Sequence, residues 1–207
     1  ETFAIKPPDF HGIVPKLLAR EGDEVLAVTP LFYSKDDDRM VIPSPVSGEV
    51  VEIVRGAKRR IMEVKILGDK EIRYVEFDKG NPAELGKEKV KETLLKSGLF
   101  SLLRQRPYNV LPNLDDTPKA IFISAFDSAP LGPDYDFIVH GQGEDFQAGL
   151  DALAQLTDGK IHLNVNGKEK SSEVFTNAKN VQVNKFYGPH PAGNVGIQIH
   201  HIDPLNK

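Results

Sequence analysis

The sequence predicts an all-β domain over residues 1–78, a helical segment and linker over 79–118, and an α/β domain over 119–207. Three observations carry this division. Short apolar runs separated by tight glycine turns recur through the first part. The hydrophobic period lengthens after Asn81-Pro82, with Val90, Leu94 and Leu95 on one helical face and Lys87, Glu88, Lys91 and Glu92 on the other. From Ala120, continuous apolar runs alternate with helical patterns, as a parallel sheet covered on both faces requires.

In the first part the candidate strands are 24–28, 31–33, 39–42, 49–54, 61–66 and 72–77, bounded by turns at Gly22, Gly56 and Gly68. The stretch Pro43-Ser44-Pro45-Val46-Ser47-Gly48-Glu49-Val50 sets an extended approach, a glycine turn and a strand, and Glu21-Gly22-Asp23-Glu24-Val25 repeats the glycine turn upstream. This arrangement resembles the barrel-sandwich hybrid of lipoyl- and biotinyl-carrier domains. Those carriers present a modifiable lysine at a hairpin tip, a fixed step before the Pro-x-Pro. The tip here is Ser34-Lys35-Asp36-Asp37-Asp38-Arg39, with Asp37 where the resemblance requires lysine and Lys35 two residues early. A structural module is expected rather than a carrier; intact mass would settle the rival reading of a covalent group at Lys35.

Past the first helix, Gly98 is a natural stop, a short second helix over 99–104 precedes Pro107, and the proline-rich stretch 107–118 reads as a linker. In the last part, strands are expected over 120–125, 161–165 and 181–186, with helices over 144–156 and 170–178. Strand, helix, strand, helix, strand describes a right-handed Rossmann-like half.

Composition narrows the function classes. A formal charge of -4 with mixed signs supplies no basic stripe, which argues against nucleic acid as a partner. The chain has no cysteine, so thiolate chemistry, disulfides and cysteine-held clusters are excluded within it. No run approaches the roughly 18 apolar residues of a membrane span. The first residue is Glu1 and a histidine-rich stretch closes the chain, which reads as an internal piece of a longer protein.

Few residues assemble into chemistry. Gly141-x-Gly143 precedes a helix, but Phe146 occupies the third glycine position and Glu144 and Asp145 would repel a pyrophosphate, so a plain helix cap is expected. His190, His200 and His201 cluster late; on a strand, His200 and His201 would face opposite ways and Gln198 would face with His200, so a shared metal is not expected. Asp115, Asp116 and Asp127 read as loop and cap carboxylates, and no serine, histidine or lysine completes a catalytic group with them. Apolar Phe100, Leu102 and Leu103 followed by Arg104, Arg106 and Tyr108 suit an amphipathic ring or a protein partner, the plainer reading being arginines that answer a helix end.

The segments PSPVSGEVVEI, LLKSGLFSLLRQRPY, AIFISAFDSAPLGPD, DFQAGLDALAQLTDGKIHL and GPHPAGNVGIQIHHIDP occur in this order. Together they resemble the A-subunit family of bacterial Na+-translocating NADH:quinone oxidoreductases, with Tyr187-Gly188-Pro189-His190-Pro191-Ala192-Gly193 as the most specific motif. The module order is similar to the C subunit of Rnf complexes and the NADH-binding flavoprotein of respiratory complex I. Those relatives cradle a flavin phosphate on a glycine-rich loop; the equivalent stretch here, 98–107, has no glycine after Gly98. Leucine and arginine side chains would fill that space.

The resemblance therefore implies a flavoprotein scaffold without its own flavin or iron–sulfur cluster. It implies a peripheral subunit on the cytoplasmic face of the bacterial inner membrane, in a multi-subunit complex that oxidises NADH, reduces quinone and pumps Na+ outward. NADH, flavins and an iron–sulfur centre are expected on partner subunits, and the isolated fragment is not expected to be catalytic. Quinone contact, a role proposed for the family, is expected at the former flavin region through Phe100, Leu103, Arg104, Arg106 and Tyr108. The alternative is an autonomous flavin- or nucleotide-binding oxidoreductase domain.

Overall fold

The computed structural model describes residues 1–205 and divides into two compact units: Glu1–Lys79 with Lys91–Asn113, and Gly80–Val90 with Leu114–Lys207. The first unit contains β1 (Thr2–Ile5), β2 (Pro15–Leu17), β3 (Glu24–Val25), β4 (Pro30–Ser34), β5 (Asp37–Pro43), β6 (Gly48–Arg55) and β7 (Ile61–Gly68). They form two antiparallel sheets, ordered β1-β7-β6-β3 and β2-β4-β5. Alternation along β6 sends Val50 inward and Glu49 outward, and a register shift after Val50 lets Ile53 pair with Val64. Leu31, Phe32, Ile42, Val50, Val64 and Ile66 are sealed from solvent and form the core. Each such burial stabilises the fold by roughly 1.5–3 kcal/mol.

Five of the six expected strands appear as β3 to β7. The stretch 72–77 makes only an isolated bridge, Ala27 to Tyr74. The reason lies in its partner. Leu26 donates its N–H to Thr29 Oγ1 at 3.0 Å and Val28 takes φ 76°, so the chain turns where the sequence suggested further strand. Little ladder is left to pair with. β1 and β2 are additions that no local turn signal announces; each is defined by a distant antiparallel partner, β7 and β4.

The Pro-x-Pro stretch is held by two buried serines. Ser44 Oγ donates to the Val46 carbonyl at 2.6 Å. Ser47 Oγ donates to Asp69 Oδ2 at 2.7 Å and accepts from the Arg73 amide at 2.9 Å. The Ser47 hydroxyl, and after it the Arg73 guanidinium, hold the Asp69 carboxyl below its ordinary value. At the carrier-like hairpin, Arg39 clamps Asp37 with its amide at 3.0 Å and its guanidinium at 2.6 Å, and lowers its pKa. The position that a carrier gives to lysine is thus a paired carboxylate.

Two helices follow. Asn81 Oδ1 caps α1 (Pro82–Leu85) by accepting from the Ala83 amide, and Gly86, at φ 79°, separates it from α2 (Lys87–Lys96). The single expected helix is therefore broken at a left-handed glycine. Gly98 also takes positive φ, 75°, and a Cβ there would stand 2.3 Å from Pro43 Cδ. Only glycine fits this stop. Beyond it the expected second helix shrinks to a 3₁₀ turn, Leu99–Leu102.

The second unit is a parallel α/β sheet. β8 (Ile121–Ser124), α3 (Tyr135–Ile138), α4 (Gly143–Ala154), β9 (Ile161–Asn166), α5 (Glu173–Thr176), β10 (Gln182–Phe186) and α6 (Val195–Ile202) follow in order, with the strands arranged β10-β9-β8. Alternation splits the sheet into two unlike faces. Ile123, Ala125, Leu163 and Val165 pack with Phe146 of α4 and Phe175 of α5 in an apolar cluster. Phe122, Ser124, His162, Asn164 and Asn184 point the other way.

Replacing Ser47 with alanine removes one buried donor and one acceptor. The Ser47→Ala variant should lose about 1–3 kcal/mol of unfolding free energy in urea at pH 7. Because Asp69 has a lowered folded pKa, its contribution is present above the ordinary carboxylate range and is lost as pH falls through the folded value. The gap between variant and wild type should narrow below about pH 4.

Candidate functional site

The five residues expected to meet a ring compound occupy three environments. Phe100 is buried, and offers its ring to the domain core rather than to a ligand. Arg104 Nη1 donates to the Ser101 carbonyl at 2.6 Å and the Leu103 carbonyl at 3.0 Å, which fixes the guanidinium against the end of the 3₁₀ turn. Leu103 and Arg106 are half-buried. The Gln105 amide donates to the Val110 carbonyl at 2.7 Å and the reverse bond closes at 3.3 Å, pinching 105–110 into a hairpin-like loop. Tyr108 sits on that loop and is 82% exposed. Arg104, Arg106, Leu103 and Tyr108 thus lie on or beside one short loop, and Phe100 is buried in the 3₁₀ turn before it.

A second constellation carries no signal in the sequence reading. On the polar face of the parallel sheet, amides form a continuous chain. Asn184 Nδ2 donates to Asn164 Oδ1 at 2.9 Å, and Asn164 Nδ2 donates to Gln198 Oε1 at 2.8 Å. Gln198 Nε2 in turn donates to Ser124 Oγ at 2.9 Å and to the Ala192 carbonyl at 3.0 Å. Asn164 and Gln198 are wholly buried. His162 joins at the other end, 3.3 Å from Asn184 Nδ2 and stacked on Phe122 with centroids 4.5 Å apart. Burial of this ring disfavours its charged form, and a neutral Nδ1 can accept from the Asn184 amide. Burial, and secondarily the Lys160 charge, push its pKa down accordingly.

This chain ends under the Tyr187–Gly193 motif. Ser124 Oγ lies 2.9 Å from the Gly193 carbonyl, the Gly193 amide donates to Ser128 Oγ at 2.8 Å, and Ser128 Oγ lies 3.1 Å from His190 Nδ1. A Cβ on Gly193 would come within 2.5 Å of the Ser128 nitrogen, so the close approach of the two loops depends on glycine. The motif is therefore a loop lashed to the C-terminal end of β8. Asparagine, glutamine and serine carry no periodic or spacing signal; only Asn164, a polar residue inside an apolar run, hints at a partner.

The remaining sequence candidates separate. His200 and His201 lie on α6, not on a strand, and Gln198 and His200 are about 200° apart around its axis. Gln198 faces inward and His200 is exposed. Among the described residues no group of three histidine or acidic side chains is placed to hold a metal. Asp127 Oδ1 accepts from the Ala129 amide at 2.8 Å, closing a turn. Gly141 and Gly143 border an open groove of about 920 Å³ of mixed charge, lined by Asp136, Glu144, Asp151 and Glu173 and also by His140, Lys170 and Lys179. Among the described residues no helix is long and apolar enough to cross a membrane.

The class that these units define is a barrel-sandwich hybrid followed in sequence by a Rossmann-like α/β domain. Residues 1–69 match the NqrA N-terminal barrel-sandwich hybrid domain and residues 85–207 match the NqrA second alpha/beta domain. The chain belongs to the NqrA family. It is 37% identical over 205 residues to the A subunit of the Na(+)-translocating NADH-quinone reductase of Vibrio vulnificus, and 36% identical to that of Photorhabdus laumondii. Each match covers 98% of this chain and 45% of the relative, so the chain spans about half the length of those proteins.

Two measurements probe the amide chain. The Gln198→Leu variant strands the Asn164 amide and should lower unfolding free energy by about 1–3 kcal/mol in urea. His162 has a lowered folded pKa, so its contribution is full above about pH 6.5 and declines as pH falls through the folded value. Urea stability should drop between pH 7 and pH 5, and the His162→Asn variant should show a smaller drop.

Proposed function

We propose that this chain forms the first two domains of the A subunit of a Na+-translocating NADH–quinone reductase. The observation that carries the reading is the pair of NqrA domain matches, in order along the chain, together with relatives that bear that name. In this reading the chain is a peripheral scaffold on the cytoplasmic face of the membrane. It assembles with the other subunits, and those subunits carry NADH, flavin and iron–sulfur chemistry. The complex they form reduces quinone and pumps Na+ outward.

The same reading assigns quinone contact to the loop after the 3₁₀ turn. Tyr108 supplies an exposed face for ring stacking, Leu103 an apolar wall, and Arg104 and Arg106 donors for a quinone oxygen. Arg104 is pre-oriented by two backbone carbonyls, which lowers the entropy lost on binding. Phe100, buried in the preceding 3₁₀ turn, leaves Tyr108 as the ring available for stacking. The stretch after Gly98 holds Leu99, Leu102 and Leu103 and no glycine before Pro107, which favours a ring compound without a phosphate.

Two experiments test this. A tagged copy expressed in a bacterium that carries the sodium pump should co-purify with the membrane subunits; recovery of the chain alone overturns its placement in the pump. Calorimetric titration with a short-chain soluble quinone should show saturable binding that the Arg104→Ala/Tyr108→Ala pair weakens at least about tenfold, equal to 1.4 kcal/mol. Tight binding of FMN instead would make the chain a flavoprotein and sink the quinone assignment.

A further inference from the structure

The turn between β6 and β7 concentrates positive charge in a chain that is otherwise acidic. Arg55, Lys58, Arg59 and Arg60 fall within six residues, and no acidic residue lies between Ile53 and Met62. Removing these four leaves 22 basic residues against 30 acidic ones. Residues 55–60 are all exposed. Elsewhere Lys6, Arg39, Lys65, Arg73, Lys96 and Lys119 each pair with a carboxylate. Among the described residues none of the four cations of the turn does. The acids nearest in sequence are already engaged, Glu63 by Lys6 and Lys65 and Glu52 by Lys65.

The backbone holds this turn at a conformational cost. Lys58, at φ 54°, and Arg59, at φ 60°, both take the left-handed conformation that non-glycine residues rarely adopt. The Gly56 amide donates to the Arg60 carbonyl at 2.7 Å, and the Arg60 amide to the Ala57 carbonyl at 3.2 Å. Arg55 Nη1 donates to the Arg59 carbonyl at 3.2 Å. The turn is thus closed on itself and carries its cations on a fixed backbone. Beside Arg55 lies an open groove of about 410 Å³, lined by Arg20 and Arg55 together with Leu17, Leu18 and Ile53. Its one acid, Glu21, accepts from the Ile53 amide at 2.7 Å through Oε1.

We propose that the β6–β7 turn and the groove beside it dock on an anionic phospholipid surface. This rests on the reading of the chain as a peripheral subunit of a membrane complex. Arginines and lysines without a carboxylate partner can meet headgroup phosphates, and a guanidinium does so through two parallel bonds. A projecting turn reaches a plane of phosphates without a matching cavity. An acidic protein partner would instead call for an apolar or aromatic anchor at the contact. Within residues 55–60 the sequence supplies only Ala57. The groove suits the same surface, with Arg20 and Arg55 for phosphate and Leu17, Leu18 and Ile53 for the carbons below it. Such a surface repels the acidic remainder of the chain, so the turn leads the approach.

Co-sedimentation of the 207-residue chain with vesicles tests the proposal. Phosphatidylcholine vesicles with about one-third phosphatidylglycerol should bind at least about tenfold more tightly than pure phosphatidylcholine, and salt at about 0.5 M should remove the difference. The Lys58→Glu/Arg59→Glu/Arg60→Glu variant should lose this preference. Arg20→Gln/Arg55→Gln should weaken it, and carries the test if urea unfolding shows the triple variant unfolded. Lys168→Glu/Lys170→Glu/Lys185→Glu makes the same change in net charge within the α/β unit and should keep it. Equal binding to both vesicles, or an equal loss in this last variant, overturns the docking surface. Displacement by inorganic phosphate at matched ionic strength overturns it in favour of a site for soluble phosphate. Absent vesicle binding, with co-purification that depends on Lys58, Arg59 and Arg60, overturns it in favour of an acidic protein partner. The vesicles hold no other subunit, so failure of the placement in the pump is read separately, by co-purification.

Discussion

The α/β unit depends on one buried contact, the 2.8 Å bond from Asn164 to Gln198, both wholly excluded from water. An uncompensated amide in that position would cost about 1–3 kcal/mol. The pair avoids this only if α6 lies against β9 and β8 at a fixed height and rotation. Gln198 then reaches Ser124 and the Ala192 carbonyl, and Ser124 reaches the Gly193 carbonyl. One helix position and one loop conformation follow from satisfying two side-chain amides. An apolar face would have tolerated sliding; hydrogen-bond geometry does not.

The first unit solves a similar problem with serines rather than amides. Ser44 and Ser47 are almost fully buried, and each hydroxyl has a named partner. They hold the Pro-x-Pro stretch in place of the regular ladder that prolines interrupt. The hairpin that the resemblance equates with the carriers' lysine tip is closed here by the Asp37–Arg39 pair. The module thus places a paired carboxylate where the resemblance to carriers calls for lysine. The proposed quinone loop follows the same logic, with leucines and an anchored arginine in place of a phosphate cradle.

Strand positions, the glycine stop at Gly98 and the order of the two domains are legible in the sequence because they rest on local physics. Alternation of apolar residues, proline geometry and positive-φ glycine act within a few residues. The stretch 72–77 misleads because its alternation is real and its partner is missing. The break at Gly86 is hidden inside a pattern that still favours one helix. His200 and His201 suit a strand in sequence because Ile197, Ile199 and His201 alternate with Gln198 and His200; packing on the sheet makes the segment helical.

By itself the sequence determined the β and α/β parts and the absence of thiol chemistry within the chain, through residue type and short-range period. The barrel-sandwich class and the family were legible through resemblance in ordered motifs. Tertiary structure alone decided that Phe100 is core and Tyr108 is surface, that Ser128 meets His190, and that Gln198 locks α6 onto the sheet. Those outcomes depend on residues far apart in the chain arriving at one place. Local propensity carries no term for such meetings, which are settled by which buried polar groups find partners.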